Sequence, residues 1–139
     1  MKYALSARNQ LEGTVTKVEK GAVNGIVVID VNGTPVTATI SMGSIENLGI
    51  APGVKACAVI KATEVMIGKG DLCLSARNQF PGKIVSVEEG AVNGIVRIEV
   101  LGGNIMTSTI SMGAIRELGL EPGVEAKAVV KATSVMVGI

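Results

Sequence analysis

The sequence predicts an all-β protein built of two tandem units, each with five strands and one short helix. Three observations carry that expectation. First, the chain is written twice: Ser6-Ala-Arg-Asn-Gln10 returns as Ser75-Ala-Arg-Asn-Gln79, and Gly21-Ala-Val-Asn-Gly-Ile-Val27 as Gly90-Ala-Val-Asn-Gly-Ile-Val96. Ser41-Met-Gly likewise returns as Ser111-Met-Gly, and Lys61-Ala-Thr as Lys131-Ala-Thr. Second, the residues between these anchors alternate or run in short β-branched blocks bounded by Gly, Asn and Pro, the pattern of strands. Third, a single stretch in each copy shifts to the three-residue spacing of a helix. The offset between copies is 69 from Ser6 to Ser75 and 70 from Ser41 to Ser111. One residue has been added, in the turn-like stretch around Asn32-Gly33 against Leu101-Gly-Gly103. Loops absorb insertions, whereas a slip of one residue in a strand turns every side chain to the wrong face. The repeat therefore divides the chain into domains 1–68 and 69–139, joined by the brief linker Gly68-Lys-Gly-Asp71.

Taken in order, Met1 to Leu5 is a short lead-in with strand potential. Gln10 to Glu19 alternates and is rich in Val and Thr, which predicts the first strand. Lys20 to Asn24 is a connector, and Gly25 to Val31 is a second strand, apolar on both faces for most of its length. Asn32-Gly33 is a strong hairpin signal, and Pro35 to Ile40 is the return strand, with Thr37 and Thr39 set against Val36, Ala38 and Ile40. Ser41 is a good helix N-cap, Ile45 and Leu48 sit three apart, and Gly49 is a stop signal, so a helix of about two turns follows. Ala51-Pro-Gly53 turns the chain into a fourth strand, Val54 to Ile60, and Glu64 to Ile67 is a short fifth. The second copy repeats the order, with strands near 79–88, 94–101, 104–110, 124–130 and 134–138 and a helix after Ser111. Five short strands and a helix per unit suggest a small OB-like β-barrel.

Composition narrows the function. The 139 residues carry a net charge of +1 and no histidine, so neither a global field toward nucleic acid or membrane nor a zinc-type site is indicated. Hydrophobic residues make up 47%, yet no apolar run reaches membrane-span length and no signal-peptide pattern opens the chain. The apolar surplus is better matched to another copy of the protein than to lipid. Cys57 and Cys73 have no counterparts in the other repeat, and this cysteine usage with no signal pattern points to the cytoplasm. Tyr3 and Phe80 are the only aromatics, so the stacking platforms of a single-strand nucleic-acid binder are missing.

No catalytic constellation is present. A serine nucleophile would need a lysine or carboxylate base, and no such pairing is indicated; no Asp-rich run offers a calcium or magnesium cage; no glycine loop opens onto Lys-Ser or Lys-Thr. What both copies keep is a set of donors suited to a small anion. Ser41 and Ser111 open helices whose first N–H groups lack intrahelical partners, and Ser44 falls in the first turn. Lys61 and Lys131 each bring a full positive charge, Lys61 beside the N–H groups of Ala62 and Thr63 and Lys131 beside that of Ala132. Ser6, Ala7 and Arg8, with Ser75, Ala76 and Arg77, offer further hydroxyl and N–H donors on an extended stretch. Taken singly, the serines read as caps and the lysines and arginines as solvated charges. Yet charged positions elsewhere drifted between copies (Lys20 against Glu89, Lys55 against Glu125, Glu46 against Arg116), while Arg8 and Lys61 did not.

Together, Ser-Ala-Arg-Asn-Gln, Gly-Ala-Val-Asn, the Ser-Met-Gly-x-Ile helix start and Lys-Ala-Thr-x-Val-Met resemble the Mop (molbindin) family of molybdate-binding domains, and two units in one chain resemble its tandem, di-Mop members. The resemblance covers essentially the full chain. It implies an OB-like barrel, cytoplasmic binding of molybdate or tungstate with no cofactor and no directly coordinated metal, and assembly into a homotrimer with ligands at interfaces between units. By position it places Ser6, Ala7 and Arg8 on one side of a site and Ser41, Ser44, Lys61 and Ala62 on a facing unit. The second copy contributes Ser75, Ala76, Arg77, Ser111, Lys131 and Ala132. A second class of site would use Gly21, Ala22, Val23 and Asn24 with Gly90, Ala91, Val92 and Asn93. Ala114 stands where the first copy has Ser44, which implies that the sites differ. The expected function is storage or homeostasis of molybdenum; the alternatives are an oligomeric structural module or an OB-type nucleic-acid binder.

Overall fold

The computed structural model describes residues 3–139. Met1 and Lys2 of the lead-in lie outside the described residues, and residues 3–8 form bends rather than a strand. In the first repeat the strands are β1 (Asn9–Lys20), β2 (Asn24–Val31), β3 (Thr34–Ser41), β4 (Lys55–Ile60) and β5 (Met66–Gly68). The helix α1 (Met42–Leu48) lies between β3 and β4. The second repeat supplies β6 (Asn78–Glu88), β7 (Asn93–Val100), β8 (Asn104–Ser111), α2 (Met112–Leu118), β9 (Glu125–Val130) and β10 (Met136–Gly138). Single 3-10 turns, Ala62–Glu64 and Ala132–Ser134, precede β5 and β10, and their last residues fall where the sequence suggested that the fifth strands begin.

All ladders are antiparallel, and the fold is two curled five-stranded sheets. Each strand's buried face follows its alternation, as in β2, where Val27, Ile29 and Val31 are buried and the residues between them are not. Curling has two visible causes. A bulge interrupts β1 between Val15 and Lys17, and β6 between Ile84 and Ser86. Just before each bulge stands a glycine, Gly13 or Gly82, where a Cβ would collide with the carbonyl oxygen of Asp30 or Glu99 on the next strand.

The inserted residue sits where the offset changes. Val31 pairs with Thr34, leaving the two-residue turn Asn32-Gly33 with φ of 50° and 86°, the geometry that Asn-Gly favours. Val100 pairs with Asn104, leaving three residues, of which Leu101 has φ 51°. Both helices carry the expected ends: Ser41 Oγ accepts from the Ser44 N–H at 3.1 Å, Ser111 Oγ from the Ala114 N–H at 3.1 Å, and Gly49 and Gly119 are left-handed.

One feature of the topology has no counterpart in the sequence pattern. The sheets run β10-β4-β1-β2-β3 and β5-β9-β6-β7-β8, so each takes its fifth strand from the other repeat. Met66 faces Val129 and Met136 faces Val59. The two crossing segments meet, Ser134 Oγ donating to Glu64 Oε2 at 3.0 Å. A contiguous cluster of buried side chains, from Leu11 through Ile60 and Ile67 to Phe80, Ile98 and Val135, runs through both sheets. No helix among the described residues is long and apolar enough to cross a membrane.

Candidate functional site

The exchange of fifth strands decides what surrounds Lys61. After β4 the chain crosses to the second sheet, and the turn 62–64 lies over β8, the edge strand of that sheet. The lead-in stretch is pinned to the same strand. Asn9, 1% exposed, receives the Thr107 N–H on Oδ1 at 2.7 Å and donates from Nδ2 to the Thr107 carbonyl at 2.9 Å. Its side chain thereby imitates a neighbouring strand and ties Ser6 to Arg8 beside the outer face of the β7–β8 hairpin.

Between these segments is a pocket of about 230 Å³ lined by Ser6, Arg8, Lys61, Ala62, Thr63, Ile95, Arg97, Thr107 and Thr109. Three cations and four hydroxyls face it, and no carboxylate is in the lining. The N–H groups of Ala62 and Thr63 open the 3-10 turn and so have no partner within it. Arg97 is held from behind, at 2.8 Å from Glu88 Oε2 and 3.4 Å from Ser86 Oγ. Such a surface can receive a small, multiply charged oxyanion through charge-assisted hydrogen bonds. Among the described residues no cluster of His, Cys, Asp and Glu could hold a metal ion. A larger cavity of about 570 Å³ runs past Asp71, Lys83, Glu99, Glu125 and Lys127. Its three carboxylates outweigh its two lysines, so it does not suit an anion.

The structure thus gathers Ser6, Arg8, Lys61 and Ala62 in one place, within one chain. Ala7 is buried and packs with Cys57 and Val59 instead. Ser75, Arg77 and Lys131 are exposed, Ala76 is half-buried and Ala132 buried, and Asn78 repeats the clamp on the first sheet, bonding the Thr37 N–H and carbonyl at 2.8 Å each. Ser41, Ser44 and Ser111 lie elsewhere, at the helix starts. There the connectors already meet them: the Val23 carbonyl accepts from the Met42 N–H, and the Val92 carbonyl from the Met112 N–H, both at 2.8 Å. Gly21 and Asn24 line a separate cavity of about 330 Å³ with Lys20 and Thr39, while Val23 and Val92 stand 74% and 75% exposed. Ala22, Gly90, Ala91 and Asn93 are exposed in the same connectors.

Sequence reasoning found Thr63 beside Lys61 but not Ile95, Arg97, Thr107, Thr109 or the clamp residues Asn9 and Asn78. The alternation in 104–110 shows that Thr107 and Thr109 share a face, but not that this face meets the other repeat. Asn9 and Asn78 did carry a signal, their place inside the repeated Ser-Ala-Arg-Asn-Gln.

The TOBE domain family matches the chain twice, over residues 5–67 and 74–137. A probable molybdenum-pterin-binding protein of Haemophilus influenzae is 59% identical over 66 residues, 48% of this chain and 96% of that protein. The molybdenum transport protein ModE of Azotobacter vinelandii is 36% identical over 141 residues, 100% of this chain but 52% of ModE, so the chain spans about half that relative's length. Among solved structures, that of the cytoplasmic molybdate-binding protein ModG with molybdate bound matches with a TM-score of 0.96 at 38% identity, covering 99% of each chain. With its doubled motifs, paired curled sheets and these relatives, the chain belongs to the TOBE domain family as a tandem protein of the Mop type.

Proposed function

We propose that this chain binds molybdate, or the isostructural tungstate, for molybdenum storage or homeostasis in the cytoplasm, and performs no chemistry on it. The observation that carries this reading is the inter-repeat pocket, where Arg8, Lys61 and Arg97 converge with hydroxyls and no carboxylate. A tetrahedral dianion presents acceptors in every direction and matches a lining of donors alone. The likeness to ModG over the whole chain supports the same ligand class. Hydrogen bonds to a charged group contribute about 1.5–3 kcal/mol each, and micromolar affinity requires about 8 kcal/mol. Half a dozen such donors reach that figure after ordering costs.

In this reading residues 1–68 and 69–139 act as two domains, and the chain assembles as a homotrimer. Ser41, Ser44 and Ser111 stand away from the pocket of their own chain, so they reach a ligand from a second copy. The connectors Gly21–Asn24 and Gly90–Asn93 form a second class of site. A role in binding single-stranded nucleic acid lacks its platform, since Phe80 is 2% exposed and Tyr3 is the one other aromatic.

Calorimetric titration of the purified chain with sodium molybdate tests the proposal. Binding near micromolar is expected, and Lys61→Met weakens the sites that it lines by roughly tenfold or more. A chain that binds neither molybdate nor tungstate rejects the function; an unchanged titration in Lys61→Met removes lysine from the mechanism.

A further inference from the structure

The residues that line the pocket have pseudo-symmetric counterparts around Lys131, and the two sets are not alike. Of the nine residues lining the pocket at Lys61, eight have identical equivalents in the other repeat, among them Ser75, Arg77, Lys131 and Thr37. The ninth is Arg97, whose equivalent is Val28. A lining otherwise repeated without change thus differs at one position, and there by a full charge.

The origin of the difference is visible in the strand register. Lys17 is paired with Val28 across β1 and β2, and its ammonium lies 3.4 Å from Glu19. In the second repeat Ser86 is paired with Arg97 across β6 and β7, and Arg97 reaches Glu88 at 2.8 Å. Each repeat keeps one cation beside the same glutamate position, but the second carries it one strand nearer the edge strand β8. That displacement brings the charge into the pocket with Arg8 and Lys61, whereas Lys17 is 62% exposed at its side chain and paired along its own strand.

We propose that Arg97 is an affinity-determining residue that makes the two inter-repeat pockets of one chain unequal. The pocket at Lys61 binds the oxyanion through three cations and fills first; the pocket at Lys131 has two and fills later. The inference rests on the oxyanion-binding reading above. The guanidinium is held by Glu88 and Ser86 and presents its remaining N–H groups, so it is ordered before the ligand arrives. Added charge-assisted bonds of this kind amount to about tenfold in affinity or more.

The test is calorimetric titration of the full chain with sodium molybdate at low ionic strength. The wild type shows a tighter and a weaker class of inter-repeat site. In Arg97→Val, which copies the residue that the first repeat tolerates at this position, the tighter class weakens about tenfold and merges with the weaker. In Lys17→Ser combined with Val28→Arg, which transplants the second repeat's arrangement, the weaker class tightens to match. Binding by the wild type with an unchanged profile in Arg97→Val overturns this inference alone, as does failure of the double variant to tighten the weaker class. Absence of any binding by the wild type overturns the inference together with the function on which it rests.

Discussion

Asn9 and Asn78 show how much one side chain can settle. Each spans the N–H and carbonyl of a single residue on the edge strand of the opposite sheet, at 2.7–2.9 Å, while almost wholly buried. Removing the amide leaves two backbone groups without partners in a place water reaches poorly, so Asn9→Ala and Asn78→Ala each destabilise by about 2 kcal/mol. Denaturant unfolding measures this, and a change below a few tenths would show that water replaces the amide. Asn9→Ala also loosens Ser6 and Arg8 and therefore lowers oxyanion affinity. Charge at the site was legible in the sequence, because Arg8 and Lys61 stayed constant between copies while Lys20 and Lys55 did not. The role of Arg97 was hidden by the same logic. It is a position that drifted, and drift alone cannot distinguish a solvated charge from one that enters a pocket.

Among elements, the strands and helices follow from local chemistry and were foreseen within a residue or two. Ser41 and Gly49 bound α1 because a hydroxyl caps the third N–H and a glycine takes the left-handed end. Pairing across β2 and β3 follows from the two-residue Asn-Gly turn, and the extra residue at Leu101 widens the equivalent turn to three. Less legible was the coil of β1 and β6, which needs a bulge and a glycine pressed against the neighbouring strand. Gly13→Ala and Gly82→Ala force a methyl group into the Asp30 or Glu99 carbonyl. Each is expected to cost about 3 kcal/mol and to lower the midpoint of urea unfolding. Unaltered midpoints would mean that the strands can flatten without penalty.

At the scale of the whole molecule, the fifth strands were expected in their own repeats and are found exchanged. Nothing in the periodicity of Met66-Ile-Gly68 or Met136-Val-Gly138 specifies which sheet receives them, because both repeats offer nearly the same edge at β4 and β9. The chain's path carries each over the edge strand of the opposite sheet, and the Asn clamps hold the two sheets together. A fragment of one repeat, 1–72 or 70–139, therefore has a strand to give and an open edge to fill. Such fragments are expected to pair by mutual exchange, so that light scattering after gel filtration finds an even number of copies. A folded monomer of either fragment would show that the strand can return to its own sheet.

The crossing segments that carry Lys61 and Lys131 also deliver β5 and β10 to the sheet of the opposite repeat. On the proposed function, an anion seated at Lys61 acts as a rivet between the crossing segment, the lead-in stretch and the β7–β8 hairpin. Peeling that segment away dismantles the seat, so on this reading release of the anion and separation of the halves are mechanically one event.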